Sequence, residues 1–185
     1  TNTVEIICQE LTNCFYCLHQ ASRSLQVRYS NASSLYLSSF INFFLFTALD
    51  PAGSLFRKND LRFRLDPGDA AYVDVIHTSL LGIGKSQTNG HTEFIPNGGK
   101  KQNGCSILNL SCSHRRAYEF YIASVQNLCS WKAYPCRSFS DFEDGKCKTC
   151  NGACPTMGYG ADLTKRVGYF FLRTNSALPF CGEYI

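Results

Sequence analysis

Ile41-Asn42-Phe43-Phe44-Leu45-Phe46, followed by Thr47-Ala48-Leu49-Asp50-Pro51-Ala52-Gly53, is the stretch that decides the fold. The first run is rich in β-formers and nearly continuous in apolar residues. That pattern predicts a strand buried on both faces, the kind found in parallel sheets. Asp50-Pro51-Ala52-Gly53 then breaks the run sharply. In open α/β sheets, functional groups gather just beyond the carboxyl ends of strands. Asp50 falls at such a point.

Outward from this stretch, Ala71-Tyr72-Val73-Asp74-Val75-Ile76-His77 predicts a second strand, with His77 and Thr78 at its carboxyl end. Gly82 to Gly104 reads as loop-rich, with Asn97-Gly98-Gly99 marking a tight turn. Arg115 to Asn127 has helical spacing, with Ala117, Tyr121 and Ser124 on one side and Phe120 and Val125 close by. His114, in Cys112-Ser113-His114-Arg115-Arg116-Ala117, therefore opens a helix. Cys129 to Cys154 is dense in Cys, Gly and Pro and is expected to be stapled rather than packed. Val167-Gly168-Tyr169-Phe170-Phe171-Leu172 predicts a last strand. Residues 1–34 show no clear period, and no internal repeat is present.

Composition bounds the class. A chain of 185 residues is one domain or part of one, and 44% hydrophobic residues suffice for a core. The net charge of +4 is small and its Lys and Arg residues are scattered, so no nucleic-acid partner is expected. The apolar run from Leu35 to Leu49 is interrupted by Ser38, Ser39 and Asn42. It falls short of the roughly 20 apolar residues that a bilayer span needs, so no transmembrane anchor is expected. The chain opens on Thr1 with no basic region leading into an apolar core, which suggests a processed chain or a fragment. Eleven cysteines, eight of them between Cys105 and Cys181, suit an oxidising compartment. Cys8, Cys14 and Cys17 are the other three, and the Asn31 and Asn109 sequons agree with secretion.

The chemistry centres on Asp50 and His114. Hydrolases with an α/β sheet carry their triad in the chain order Ser, then Asp or Glu, then His. The acid and base stand here in that order, while the expected Gly-x-Ser-x-Gly turn before Asp50 occurs nowhere in the chain. Other motifs weigh less. Gly84-Lys85-Ser86 imitates the end of a phosphate-binding loop, but Ser79 stands where its first glycine belongs, and turn residues follow instead of a helix. Cys147, Cys150 and Cys154 have metal-like spacing, yet nearby candidates for further ligands are only cysteines, which favours a disulfide framework. Cys14-Phe15-Tyr16-Cys17 lacks the βαβ surroundings of a redox site. His77 reads as a satisfied core group, His91 as a loop residue, and His19 lies in the unreadable segment.

Taken together, these residues resemble the pancreatic-lipase family of secreted α/β-hydrolases, in particular its insect lipase and phospholipase A1 branch. The likeness runs from about Phe46 to Cys181. Besides the Asp50 and His114 motifs it is carried by Asp69-Ala70-Ala71-Tyr72-Val73-Asp74-Val75-Ile76-His77-Thr78, by Gly90-His91 with Phe94-Ile95-Pro96-Asn97-Gly98-Gly99, and by Met157-Gly158-Tyr159 with Ala161-Asp162.

The resemblance implies a partial α/β-hydrolase fold, the carboxyl-terminal half of the sheet at 41–185, without the nucleophile-bearing half. Residues 1–40 do not resemble the family and are expected to be disordered or wrongly joined. It implies Asp50 as triad acid and His114 as triad base, acting on a phospholipid or acylglycerol ester at an interface. The alternative is a non-catalytic lipid-binding or yolk-protein-like relative that lost its nucleophile. Loops at Thr78–Gln87 and Cys105–Cys112 correspond to lipid-gating loops, and their shortness resembles the phospholipase A1 members. No cofactor is required. Calcium is the one candidate metal, through positions matched by Arg64, Asp66 and Asp69, with Leu61 replacing a further acidic ligand. Spacing and resemblance together imply the bridges Cys105–Cys112, Cys136–Cys147, Cys150–Cys154 and Cys129–Cys181.

Overall fold

The computed structural model describes residues 45–51, 65–81, 84, 90–106, 108–126, 128–161 and 164–181. Segment 1–40 lies outside the described residues, as do His19, Leu61, Arg64 and Asp162. Among the described residues five strands form one sheet: β1 Phe46–Leu49, β2 Val73–Ile76, β3 Thr92–Pro96, β4 Tyr134–Pro135 and β5 Gly168–Leu172, in the order β1-β2-β3-β5-β4. The first four in that order run parallel, and β4 closes the edge antiparallel to β5. Helix α1, Leu110–Val125, packs against the sheet, and a short helix α2 spans Phe139–Glu143. This is a partial α/β fold, as the sequence implies.

Alternation along the strands sorts the apolar residues to two faces, as a pleated backbone requires. Leu45, Leu49, Tyr72, Ile76, Phe94, Phe170 and Leu172 join Ala117, Phe120 and Tyr121 of α1 in the main core. Phe46, Ala48, Val73 and Val75 face the other way, with Leu65. The registers Leu49↔Ile76, Ile76↔Phe94 and Phe94↔Phe170 run one layer of apolar side chains across four strands. They also bring the carboxyl ends of β1, β2 and β3 side by side, which is what positions the candidate site.

Several expectations are corrected. Strand β1 is described over Phe46–Leu49 and so extends beyond the predicted run to Leu49, while residues 41–44 of that run lie outside the described residues. Gly82 to Gly104 is not all loop, because Thr92-Glu93-Phe94-Ile95-Pro96 is a fully buried central strand. Its acidic residue hides the strand from a periodicity reading. Glu93 is only 2% exposed, and its carboxylate accepts from the Gly90 N–H and bonds the ring of His77. Asn97, Gly98 and Gly99 do form the tight turn after β3, all three with positive φ.

The helix begins at Leu110 rather than Arg115, because the Asn109 side chain accepts from the Cys112 N–H and caps it. His114 consequently sits inside the helix instead of opening it, and Val125 turns outward at 51% exposure. The Cys129–Cys154 tract is packed as well as stapled. Trp131, Ala133 and Cys150 are buried, and the Phe120 ring lies tilted at 5.7 Å from Trp131 and edge-on at 5.4 Å from Phe180.

Among the described residues four cysteine pairs are joined: Cys105–Cys112 and Cys136–Cys147 with Cα atoms 5.6 Å apart, Cys150–Cys154 at 5.1 Å, and Cys129–Cys181 at 6.1 Å. Cys129–Cys181, with a sequence separation of 52, ties the segment after α1 to the strand exit after β5. Replacing this pair by alanine is expected to cost about 4 kcal/mol from loop entropy, against about 2 kcal/mol for Cys150–Cys154. Denaturant unfolding of the two double variants checks the ranking, and a greater loss at the short loop would contradict it.

Candidate active site

Asp50 follows the last residue of β1 in the left-handed region, with φ 48°. Asp tolerates this conformation better than most residues, yet a non-glycine there carries strain and is enriched at functional sites. The backbone is held because the Asp50 N–H donates to the Ile76 carbonyl at 2.8 Å, continuing the β1–β2 ladder one residue beyond the strand. The side chain is completely buried. An ionised carboxylate in such a place needs donors, and this one has four. Its Oδ1 accepts from the backbone N–H groups of Thr78 at 2.8 Å and Ser79 at 3.0 Å. Its Oδ2 accepts from the Ser79 hydroxyl and meets His114 Nδ1 at 2.7 Å.

His114 comes from α1, 64 residues later in the chain. Its side chain is 15% exposed, against 0% for its acidic partner. An ionised Asp50 assigns the ring proton to Nδ1 and leaves the Nε2 lone pair as acceptor. The pair can therefore take a proton from a hydroxyl brought to Nε2 and hold the imidazolium that results.

Two residues that sequence reasoning did not place in the site hold its walls. Gln102 is fully buried and donates its amide to the carbonyls of Thr78 at 3.1 Å and Pro96 at 3.0 Å, joining the ends of β2 and β3. Its backbone N–H donates to Ser113 Oγ at 3.0 Å, which ties both strand ends to α1 one residue before His114. Ser79, noted in the sequence only for spoiling a phosphate loop, is the other. No signal short of the fold itself could have found either.

The remaining sequence-selected residues lie elsewhere. His77 is buried against Glu93, in keeping with a core role, and His91 Nδ1 accepts from the Val73 N–H at 2.9 Å. Asp66 and Asp69 form a capping box around a turn of 3₁₀ helix, Pro67–Asp69, with Asp66 accepting from the Gly68 N–H at 2.7 Å and Asp69 from the Asp66 N–H at 2.9 Å. Burial pushes the Asp69 carboxyl above its ordinary range, against the lowering effect of that backbone bond. One oxygen of each carboxylate is thereby committed to the turn. Among the described residues, no group of three or more His, Cys, Asp or Glu side chains is placed to hold a metal.

Gly84 packs hard against the acid. A Cβ there would come within 2.6 Å of Asp50 Oδ1. Gly84→Ala must displace either the loop or the carboxylate from its donors, and overpacking of this kind costs roughly 1–3 kcal/mol. A lowered unfolding midpoint is expected, and an unchanged one would show that the carboxylate is not confined as described.

Comparisons with known proteins agree on one family. A family model described as Lipase matches residues 44–180. Lipase member H of Mus musculus is 44% identical over 153 residues, covering 73% of this chain and 34% of that protein. Pancreatic lipase-related protein 3 of Homo sapiens is 39% identical over 165 residues, covering 72% of this chain and 35% of that protein. Pancreatic triacylglycerol lipase of Equus caballus is 40% identical over 163 residues, with 72% and 35% covered. The chain thus spans about a third of the length of the curated relatives it matches.

Proposed function

The chain belongs to the Lipase family, and on that premise we propose that Asp50 and His114 are the acid and base of a Ser-Asp-His triad that hydrolyses lipid esters. The observation that carries this reading is the 2.7 Å contact between His114 Nδ1 and the buried Asp50 carboxylate at the carboxyl end of a parallel strand. The nucleophile is a serine from outside these 185 residues, since no Gly-x-Ser-x-Gly turn occurs within them.

In this scheme the serine oxygen attacks the ester carbonyl while its proton passes to His114 Nε2. The imidazolium then returns that proton to the oxygen of the departing alcohol. Water, deprotonated by the same nitrogen, then attacks the acyl-enzyme carbonyl, and that proton passes to the serine oxygen as the fatty acid leaves. Asp50 stays ionised throughout, holding the ring tautomer and offsetting its positive charge.

The substrate is a phospholipid or acylglycerol presented at an interface. Leu81 is 74% exposed in the first of the two short loops, and Leu108 is 91% exposed in the disulfide-closed second one. Such side chains suit contact with acyl chains. The shortness of both loops favours a charged head group and hence a phospholipase A1 type of specificity. Four disulfides fit work in an oxidising, extracellular setting. Among the described residues, no helix is long and apolar enough to cross a membrane.

The 185-residue chain alone is expected to show no hydrolysis of phospholipid, triacylglycerol or short-chain esters. In a version extended to include the serine turn, Asp50→Asn is expected to lower kcat about 10⁴-fold, the order seen when a triad acid is neutralised elsewhere. Turnover by the unextended chain that a serine-directed phosphonate blocks would overturn the scheme, because its nucleophile would then be a serine already in this sequence.

A further inference from the structure

The two oxygens of Asp50 are held in different ways. Oδ1 takes its bonds from the backbone N–H groups of Thr78 and Ser79, which any non-proline residue at those positions would supply. Oδ2, the oxygen that meets His114, takes its other bond from a side chain, the Ser79 hydroxyl. Ser79 is 2% exposed, so this hydroxyl has no bulk solvent to turn to. Its direction is also fixed. Ser79 Oγ accepts the Gly84 N–H at 3.0 Å, and the ionised carboxylate can only accept, so the hydroxyl proton must point at Oδ2.

We propose that Ser79 is a positioning residue for the triad acid: its hydroxyl sets the rotation of the Asp50 carboxylate so that Oδ2 meets the imidazole, and through it sets the His114 tautomer. This rests on the reading of Asp50 and His114 as acid and base. A carboxylate pinned through Oδ1 alone can still swing about its Cβ–Cγ bond and carry Oδ2 out of the ring plane. With the hydroxyl in place, both oxygens are fixed from the β2 side and the imidazole meets an acceptor of one orientation. Gly84 takes part by leaving room. It approaches so closely that a Cβ would sit 2.6 Å from Oδ1, and its N–H occupies the lone pair through which Ser79 could otherwise turn away.

The test uses the 185-residue chain labelled with ¹⁵N-histidine. The chain has four histidines, and the His114 signals are those lost in His114→Gln. Ring ¹⁵N shifts near neutral pH report which nitrogen carries the proton. In the unaltered chain His114 is expected as the Nδ1–H tautomer. Ser79→Ala removes one buried hydrogen bond and leaves both backbone donors, so the ratio of Nδ1–H to Nε2–H at His114 is expected to fall about threefold or more. His91 is the internal control. Its Nδ1 accepts the Val73 N–H at 2.9 Å, so its tautomer is set by the β2 backbone and is expected not to change.

An unaltered His114 ratio in Ser79→Ala would overturn the inference while leaving the acid–base pair standing. A change at His91 together with His114 would also overturn it, because the hydroxyl would then be holding the sheet rather than the acid. An unaltered chain in which His114 shows no Nδ1–H preference would overturn the pair itself, and this inference with it.

Discussion

A single buried carboxylate organises this end of the molecule. Asp50 is completely excluded from water and accepts from Thr78, Ser79 and His114, so one side chain ties the exit of β1 to the exit of β2 and to helix α1. A charge in that position is costly unless donors meet it. The surrounding structure is arranged to keep them there. The parallel register lines up the strand ends, Gln102 bonds two of them to each other and to α1, and the Cys105–Cys112 bridge with the Asn109 cap fixes where that helix starts.

The same constraint explains why the helix bearing His114 can be held so firmly. Its buried face, Ala117, Phe120 and Tyr121, belongs to the main core, and Phe120 is wedged between Trp131 and Phe180. The guanidinium of Arg116 lies 4.8 Å from the Phe180 ring and donates to the carbonyls of Asn103 and Ser176. Rotation of α1 that carried the imidazole away from Asp50 would also break these contacts. The aromatic core and the disulfide-closed tract behind it thus work as a mount for one ring nitrogen.

Much of this was legible in the sequence, for physical reasons that differ from residue to residue. Asp50 could be read because a hard stop after an apolar run marks a strand end, and strand ends are where open sheets place their chemistry. His114 could be read because its neighbours carry both a cysteine and a helical period. Strand β3 could not, because Glu93 is satisfied by a histidine 16 residues earlier, and no local pattern reveals that an acid is buried with its partner. The helix start was missed for a similar reason. The Asn109 cap is a single side-chain bond, and apolar periodicity carries no trace of it. Ser79 and Gln102 act through bonds to backbone groups distant in sequence, so only the assembled strand ends expose them.

The proposed ester hydrolysis rests on the family relation, and the 2.7 Å contact between His114 Nδ1 and Asp50 is the geometry that supports its proposed proton path. The most direct test is the crystal structure of a version extended to include the serine turn and inactivated by an alkyl phosphonate. The account predicts phosphorus on that serine, its Oγ within about 3.2 Å of His114 Nε2, and the Asp50 carboxylate still bonded to Nδ1. A serine adduct out of reach of His114, or an imidazole turned away from Asp50, would contradict it.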